Sequence, residues 1–183
     1  MKKTVLIVLA DGFEEIEAVT SIDVLRRAGL EVIVAGVGKR EVLGAHEITV
    51  ETNLMIEQYQ GMPDAIILPG GMPGADNLNK SEAVKDLLQK MKKSGKLIAA
   101  ICAAPAVVLA PNGILEGKRA TCYPGYENAL GPKVKFVANR VVVDGQVTTS
   151  QGPGTAIEFS LELVSQLLSV EKADLIAQKM VVK

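Results

Sequence analysis

Lys96-Leu97-Ile98-Ala99-Ala100-Ile101-Cys102-Ala103-Ala104-Pro105 is an aliphatic run that ends in a cysteine and passes at once into small residues and a proline. A run of this length and composition reads as a strand covered on both faces, as in a parallel sheet. Ala103 and Ala104 let the backbone turn sharply, and Pro105 suits the first turn of a helix. Cys102 is therefore expected at the carboxyl end of a buried strand, under the positive end of a helix dipole, where thiol pKa values fall and backbone N–H groups point outward. A free cysteine is more commonly a small buried hydrophobe, so its chemistry depends on what the neighbouring loops bring to it.

Outward from this segment, strand and helix signals alternate. A strand over 4–10 leads into a helix over about 14–28 closed by Gly29, then a strand over 30–37. Residues 41–52 read as a small hairpin excursion. Asp64-Ala65-Ile66-Ile67-Leu68-Pro69 is the next core strand and ends in the turn Gly70-Gly71-Met72-Pro73-Gly74. Ser81 caps a helix running to about Ser94, closed by Gly95, and the Cys102 strand follows. Beyond a short helix, 141–149 reads as a hairpin turning at Asp144-Gly145. Gly152-Pro153-Gly154 leads into a helix over about 155–168, and a last helix starts near Glu171. Repeated βα units with apolar strands predict an α/β fold, a doubly wound and mostly parallel sheet flanked by helices on both faces, in one domain over 1–183.

Composition narrows the partners. Aromatic residues are 3% of the chain and Trp is absent, so bases have little to stack on. Twenty basic against twenty-one acidic residues leave no electrostatic footprint for nucleic acid or an anionic membrane, which points to small molecules or protein as partners. Met1-Lys2-Lys3 followed by the apolar run 4–10 is too short for a signal peptide, and Asp11-Gly12-Phe13-Glu14-Glu15 stands where a small-residue cleavage site would be. No apolar stretch approaches the roughly 20 residues that span a bilayer. The expectation is a soluble cytoplasmic protein whose two cysteines, Cys102 and Cys122, stay reduced.

In a sheet of this kind ligands bind outside the carboxyl ends of the strands, where the loops 11–17, 70–74 and 102–104 should converge. Glu14 and Glu15 read as charges that compensate the helix dipole. Glu17, beside Ile16 and Ala18, falls instead where a core or cleft position is expected. Gly70 and Gly71 allow backbone N–H groups to approach a ligand oxygen closely. The stretch Gly70-Gly71-Met72-Pro73-Gly74-Ala75 matches neither a dinucleotide nor a P-loop fingerprint. The single histidine, His46, lies in the hairpin excursion and reads as an exposed loop residue. A Cys–His hydrolase site is not indicated, and a metal site of ordinary His/Cys composition is excluded by count.

With Cys102, Glu17 and the glycine pair in place, the chain resembles the ThiJ/PfpI family, in the branch of the Parkinsonism-associated deglycase and its bacterial relatives. The resemblance spans essentially the whole sequence and rests on EEIEAVTSIDVLRRAG at 14–29, ILPGGMPGADNL at 67–78, AAICAAPAVVLA at 99–110 and TSQGPGTAIEFSLELV at 149–164. It implies a flavodoxin-like fold and a homodimer, for which Val19, Ile22, Asp23, Arg26 and Arg27 offer a mixed face suited to an isologous contact. It also implies that Cys102 is the reactive cysteine, Glu17 the acid that hydrogen-bonds it, and the N–H groups of Gly71 and Ala103, next to Gly70, the oxyanion site. Ala103 stands where the protease-like branch has a histidine, which argues against peptidase activity. Tyr123 and His46 replace pocket residues of the animal deglycase and are the candidate pocket-lining positions.

A cysteine and a carboxylic acid suffice, without metal or cofactor, to convert a 2-oxoaldehyde such as methylglyoxal or glyoxal to a 2-hydroxy acid, because the change is an internal redox reaction plus hydration. Glyoxalase or deglycase chemistry on a small carbonyl substrate is the expected activity. The competing expectation is a non-enzymatic oxidation sensor or redox-regulated chaperone that uses the same thiol.

Overall fold

The apolar runs pair side by side in the computed structural model, which describes residues 2–182; Met1 and Lys183, the ends of the expected domain, lie outside the described residues. In chain order the elements are β1 (Thr4–Leu9), α1 (Glu15–Arg27), β2 (Glu31–Gly36), β3 (Glu41–Leu43), β4 (Thr49–Glu51), β5 (Leu54–Met55), β6 (Ala65–Leu68), α2 (Gly74–Lys80), α3 (Glu82–Lys93), β7 (Leu97–Ile101), a π-helical turn (Pro105–Leu109), β8 (Arg119–Ala120), β9 (Lys135–Phe136), β10 (Val141–Asp144), β11 (Val147–Ser150), α4 (Ala156–Leu167) and α5 (Val170–Lys179).

One sheet in the order β10-β11-β7-β6-β1-β2-β5 forms the frame. All of its pairings are parallel except the edge hairpin of β10 and β11. The central strands are covered on both faces, so they are apolar at every position instead of alternating: Val5 to Leu9, Ala65 to Leu68 and Ile98 to Ile101 are all buried. Helices α1 and α4 pack together with α5 beside them, while α2 and α3 lie by the turn that follows β7. The expected doubly wound α/β architecture is the observed one.

Local signals hold where a backbone requirement is strict. Gly29 ends α1 with φ +92°, a conformation that only glycine adopts at low cost. Ser81 caps α3 by accepting the Val84 N–H, as its position predicts. Three features depart from the sequence reading. The turn expected at 70–74 continues directly into α2, whose Gly74, Ala75 and Leu78 are buried; packing against the π-helical turn overrides the weak helix propensity of its glycine and asparagines. The short helix after Cys102 is a single π-helical turn. Residues 54–55 add a further edge strand beside β2.

Strand order decides where the chemistry falls. β1, β6 and β7 are neighbours, so the loops leaving their carboxyl ends meet. They meet at contact distance because glycines stand at the crossing. Gly12, at φ +87°, passes so close to the next loop that an added Cβ would lie 2.5 Å from Pro73 Cδ. Gly12→Ala is expected to cost about 2 kcal/mol or more, combining left-handed strain with the clash. The check is the urea midpoint: it should fall at unchanged m-value, and an unmoved midpoint would mean that the two loops are not locked together.

Candidate active site

Cys102 follows β7 with φ +66°, a left-handed conformation unusual for a residue bearing a Cβ. Two bonds fix it there: its N–H donates to Ser150 O (2.9 Å), and its carbonyl accepts from the Tyr123 N–H (2.8 Å). The turned backbone holds the side chain at the end of the strand, and the residue remains 8% exposed. Gly70 leaves room for it, since a Cβ at Gly70 would stand 2.6 Å from Cys102 Cβ. The N–H groups of Gly71 and Ala103 hydrogen-bond the Cys102 side chain.

Glu17 projects from the first turn of α1 into this junction and is fully buried. Its Oε2 accepts the Gly70 N–H at 2.7 Å. Oε1 is buried without a well-formed hydrogen bond, so the contact of the carboxyl with the Cys102 thiol couples the two groups without being well aligned. Burial is the main reason that Glu17 is held well above the ordinary carboxylate range, at about 7; the Gly70 N–H and Cys102 pull the other way, and the nearby Glu14 charge adds a little. Burial, then the charge and hydrogen bond of Glu17, push the Cys102 thiol up to about 12, against the N–H groups of Gly71 and Ala103, which favour its anion.

The sequence led us to expect a thiol lowered by a helix dipole. The structure reverses that expectation, because the sulfur is buried and a carboxylate lies against it. What the site holds is a pair: near neutral pH, one proton and one negative charge are shared between Glu17 and Cys102. Such a carboxylate is poised to take the thiol proton.

The sulfur opens on a cavity of about 210 Å³ lined also by Glu14, Gly71, Met72, Tyr123 and Tyr126. Tyr123 lines this cavity, its ring packed 3.1 Å from the space where a Gly152 Cβ would be and edge-on to Tyr126. Two other candidate residues take different places. The Gly70 N–H is occupied by Glu17, so Gly70 positions the acid and cannot serve as an oxyanion donor. His46 does not line the cavity. It is exposed in the β3–β4 hairpin, its N–H donating to Glu15 Oε1 (2.6 Å) and its Nδ1 paired with Glu15 Oε2 (2.8 Å).

Glu15 is thus a buried anchor for the hairpin rather than a dipole charge. Glu14, likewise read as a dipole charge, makes no capping bond and lines the cavity. The paired acids at 14–15 were the available signal, but their roles depend on which loop packs over each. Glu14, Glu15 and His46 bring possible ligand atoms within 4.8 Å of one another, a grouping already explained by the His46–Glu15 ion pair. Both cysteines are free thiols, and burial pushes Cys122 up to about 11.

A model described as the DJ-1/PfpI family matches residues 3–166. The chain is 45% identical over 173 residues to Protein DJ-1 homolog B of Arabidopsis thaliana, covering 93% of this chain but only 40% of that protein, so it spans less than half the length of that relative. It is 38% identical over 176 residues to the glutathione-independent glyoxalase DJR-1.2 of Caenorhabditis elegans, covering 94% of this chain and 93% of that one. Among solved structures, oxidized DJ-1 of Toxoplasma gondii superposes with a TM-score of 0.92 at 41% identity, covering 98% of both chains.

The raised Glu17 pKa has a consequence for stability. Between pH 4.5 and about 7 the folded protein keeps a proton on Glu17 that the unfolded chain has lost. The contribution is therefore full below pH 4.5 and is lost as pH rises through 7. Replacing the acid by Glu17→Gln removes this dependence. From pH 4.5 to 8 the variant should gain on the order of 3 kcal/mol relative to wild type in urea denaturation; parallel pH profiles would overturn the assignment.

Proposed function

The chain belongs to the DJ-1/PfpI family, and on that premise we infer that it converts 2-oxoaldehydes such as methylglyoxal and glyoxal to 2-hydroxy acids, using Cys102 and Glu17 without glutathione, metal or cofactor. The observation that carries this reading is the buried Glu17 carboxyl, held at about 7 against the Cys102 thiol. The similarity to a glutathione-independent glyoxalase supports it.

In this reading Glu17 takes the thiol proton as the sulfur adds to the aldehyde carbon. The proton passes to the former carbonyl oxygen, and a hemithioacetal results. The N–H groups of Gly71 and Ala103, already directed at the sulfur, stabilise negative charge on that oxygen. Glu17, again a carboxylate, removes the hydrogen from the aldehyde carbon as a proton. It returns the proton to the neighbouring carbon through an enediol, while the hydroxyl proton of the first carbon passes to the oxygen of the second, leaving a thioester of the 2-hydroxy acid. Water hydrolyses the thioester, which frees the 2-hydroxy acid and the thiol. The aldehyde carbon is oxidised and its neighbour reduced, so no external electron carrier enters. Deglycation would draw the same intermediate from a glycated amine or thiol.

A second reading is an oxidation sensor. The similarity to a DJ-1 solved in an oxidized form favours it, and a protonated Glu17 would stabilise an oxidised sulfur by a strong hydrogen bond. We further propose a cytoplasmic homodimer. Exposed Ile16 and Val19 on α1, with Leu43 and Ile48 on the β3–β4 hairpin, support a dimer face.

Turnover separates the two readings: with methylglyoxal and purified protein free of glutathione, an enzyme yields lactate catalytically, whereas a sensor is consumed. Cys102→Ala should abolish lactate formation and Cys122→Ala should retain most of it. Glu17→Gln should lower turnover by roughly 10²-fold or more, the scale of general acid–base catalysis, while Cys102 stays reactive toward iodoacetamide. Near-normal turnover in Glu17→Gln would sink the proton shuttle. Light scattering at micromolar concentration should give a dimer mass, and a monomer mass would refute the interface.

A further inference from the structure

The carbonyl that holds Cys102 in its left-handed conformation is itself held by two buried hydroxyls. Ser150, whose O accepts the Cys102 N–H at 2.9 Å, is the last residue of β11, where the chain leaves the sheet and turns toward α4. This turn walls the cavity: Pro153 lines it, and a Cβ on Gly152 would stand 3.1 Å from the Tyr123 ring. Thr155 Oγ1 accepts the Gly152 N–H at 3.1 Å and lies 2.6 Å from Ser150 Oγ, which donates to Arg140 O at 2.8 Å. The Gly152 carbonyl, 2.8 Å from Thr155 Oγ1, already accepts the Thr155 N–H. One order of protons satisfies the set: Ser150 donates to Arg140 O, and Thr155 donates to Ser150 Oγ. Thr155 stands at the start of α4, where a threonine ordinarily caps helix N–H groups, yet it makes no capping bond to α4 and is turned back to the loop. Ser150 has no exposure and Thr155 has 5%, and every one of these bonds is internal to the chain, so a partner subunit on α1 leaves them as they are.

We propose that Thr155, acting through Ser150, is a positioning residue that sets the Cys102 sulfur against Glu17. The proposal rests on the reading of Cys102 as the nucleophile, but its test does not need turnover. The route is short. Thr155 Oγ1 holds Ser150 Oγ, the Ser150 carbonyl holds the Cys102 N–H, and the Cys102 backbone carries the sulfur to Glu17 and to the N–H groups of Gly71 and Ala103. A residue with a Cβ stays at φ +66° only while its surroundings over-determine it. Thr155→Val keeps the shape of the side chain and removes the hydroxyl. The buried Gly152 N–H then loses its acceptor and Ser150 Oγ its donor, which loosens the end of β11 and with it the Cys102 backbone.

The test reads the contact between the sulfur and Glu17 as a coupling. The charge of Glu17 opposes ionisation of the thiol, so Glu17→Gln should speed alkylation of Cys102 by iodoacetamide, followed by peptide mass spectrometry. The expected gain is about threefold or more, the scale of coupling between residues in contact. With Thr155→Val in place the same replacement should bring little or no gain, because the sulfur no longer faces the carboxyl. Thr155→Ser, which keeps the hydroxyl, should restore the gain. Loss of a cap or a general loss of stability would change both rates alike and leave the gain as it was. On methylglyoxal, Thr155→Val should lower kcat by about tenfold or more, the effect of a misplaced reacting group, and Thr155→Ser should recover it.

A Glu17→Gln gain as large in Thr155→Val as in the unaltered chain overturns the proposal, and so does a Thr155→Ser variant that behaves like Thr155→Val. If Thr155→Val does not fold, as judged by circular dichroism, Ser150→Ala decides. It breaks the same link from the other side and leaves the bonds between Thr155 and Gly152 in place. It should erase the gain, and an undiminished gain overturns the proposal. No gain in any background overturns it together with the Glu17–Cys102 pairing beneath it. A gain that depends on the Thr155 hydroxyl in a protein that makes no lactate keeps the positioning role and removes the glyoxalase reading instead.

Discussion

One proton shared between a buried carboxyl and a buried thiol is the constraint around which this site is arranged. A carboxyl with no exposure and a single backbone donor is poorly supported as an anion, so Glu17 keeps its proton up to about pH 7. The thiol beside it cannot ionise freely while Glu17 is charged. Neither group alone has an unusual chemistry. Their contact gives a base of near-neutral pKa against a sulfur whose anion is met by two backbone N–H groups, and this combination is what acyl and carbonyl chemistry at a cysteine requires.

That contact depends on backbone approaching backbone. A Cβ on Gly71 would lie 2.4 Å from both Glu14 N and Gly12 O, and a Cβ on Gly70 would strike Cys102. These glycines remove side chains from the place where the loops after β1, β6 and β7 cross, so that a helix residue, a loop N–H and a strand-end thiol share one small volume. The left-handed conformation at Cys102 belongs to the same arrangement. It carries strain of order 1–3 kcal/mol, held by the bonds to Ser150 and Tyr123.

The β3–β4 hairpin is stitched to the loop after β1 by Gly12 N–H to Leu43 O, Ala45 N–H to Phe13 O and the His46–Glu15 pair. Each end of the hairpin is exposed, but its seam with α1 is not, which is why Glu15 is buried although it is charged. Glu14, one residue earlier on the same helix, faces the cavity. Adjacent acids at a helix start therefore face two different surroundings.

The sequence by itself determined the central strands, the ends of α1 and α3 and the place of Cys102 at the end of β7. Uninterrupted aliphatic runs are legible because both faces of the central strands are buried, and Gly29, Ser81 and Asp144-Gly145 act through local backbone geometry that neighbours cannot override. It also set Glu17 apart, since a charge at an inward position of α1 has no structural purpose of its own. The fold alone decided the rest. Which backbone N–H Glu17 accepts, which acid faces His46, and whether burial or a helix dipole governs the sulfur all depend on contacts between segments more than thirty residues apart. Electrostatics in a low-dielectric junction is set by distance in space, and no one-dimensional pattern encodes that distance.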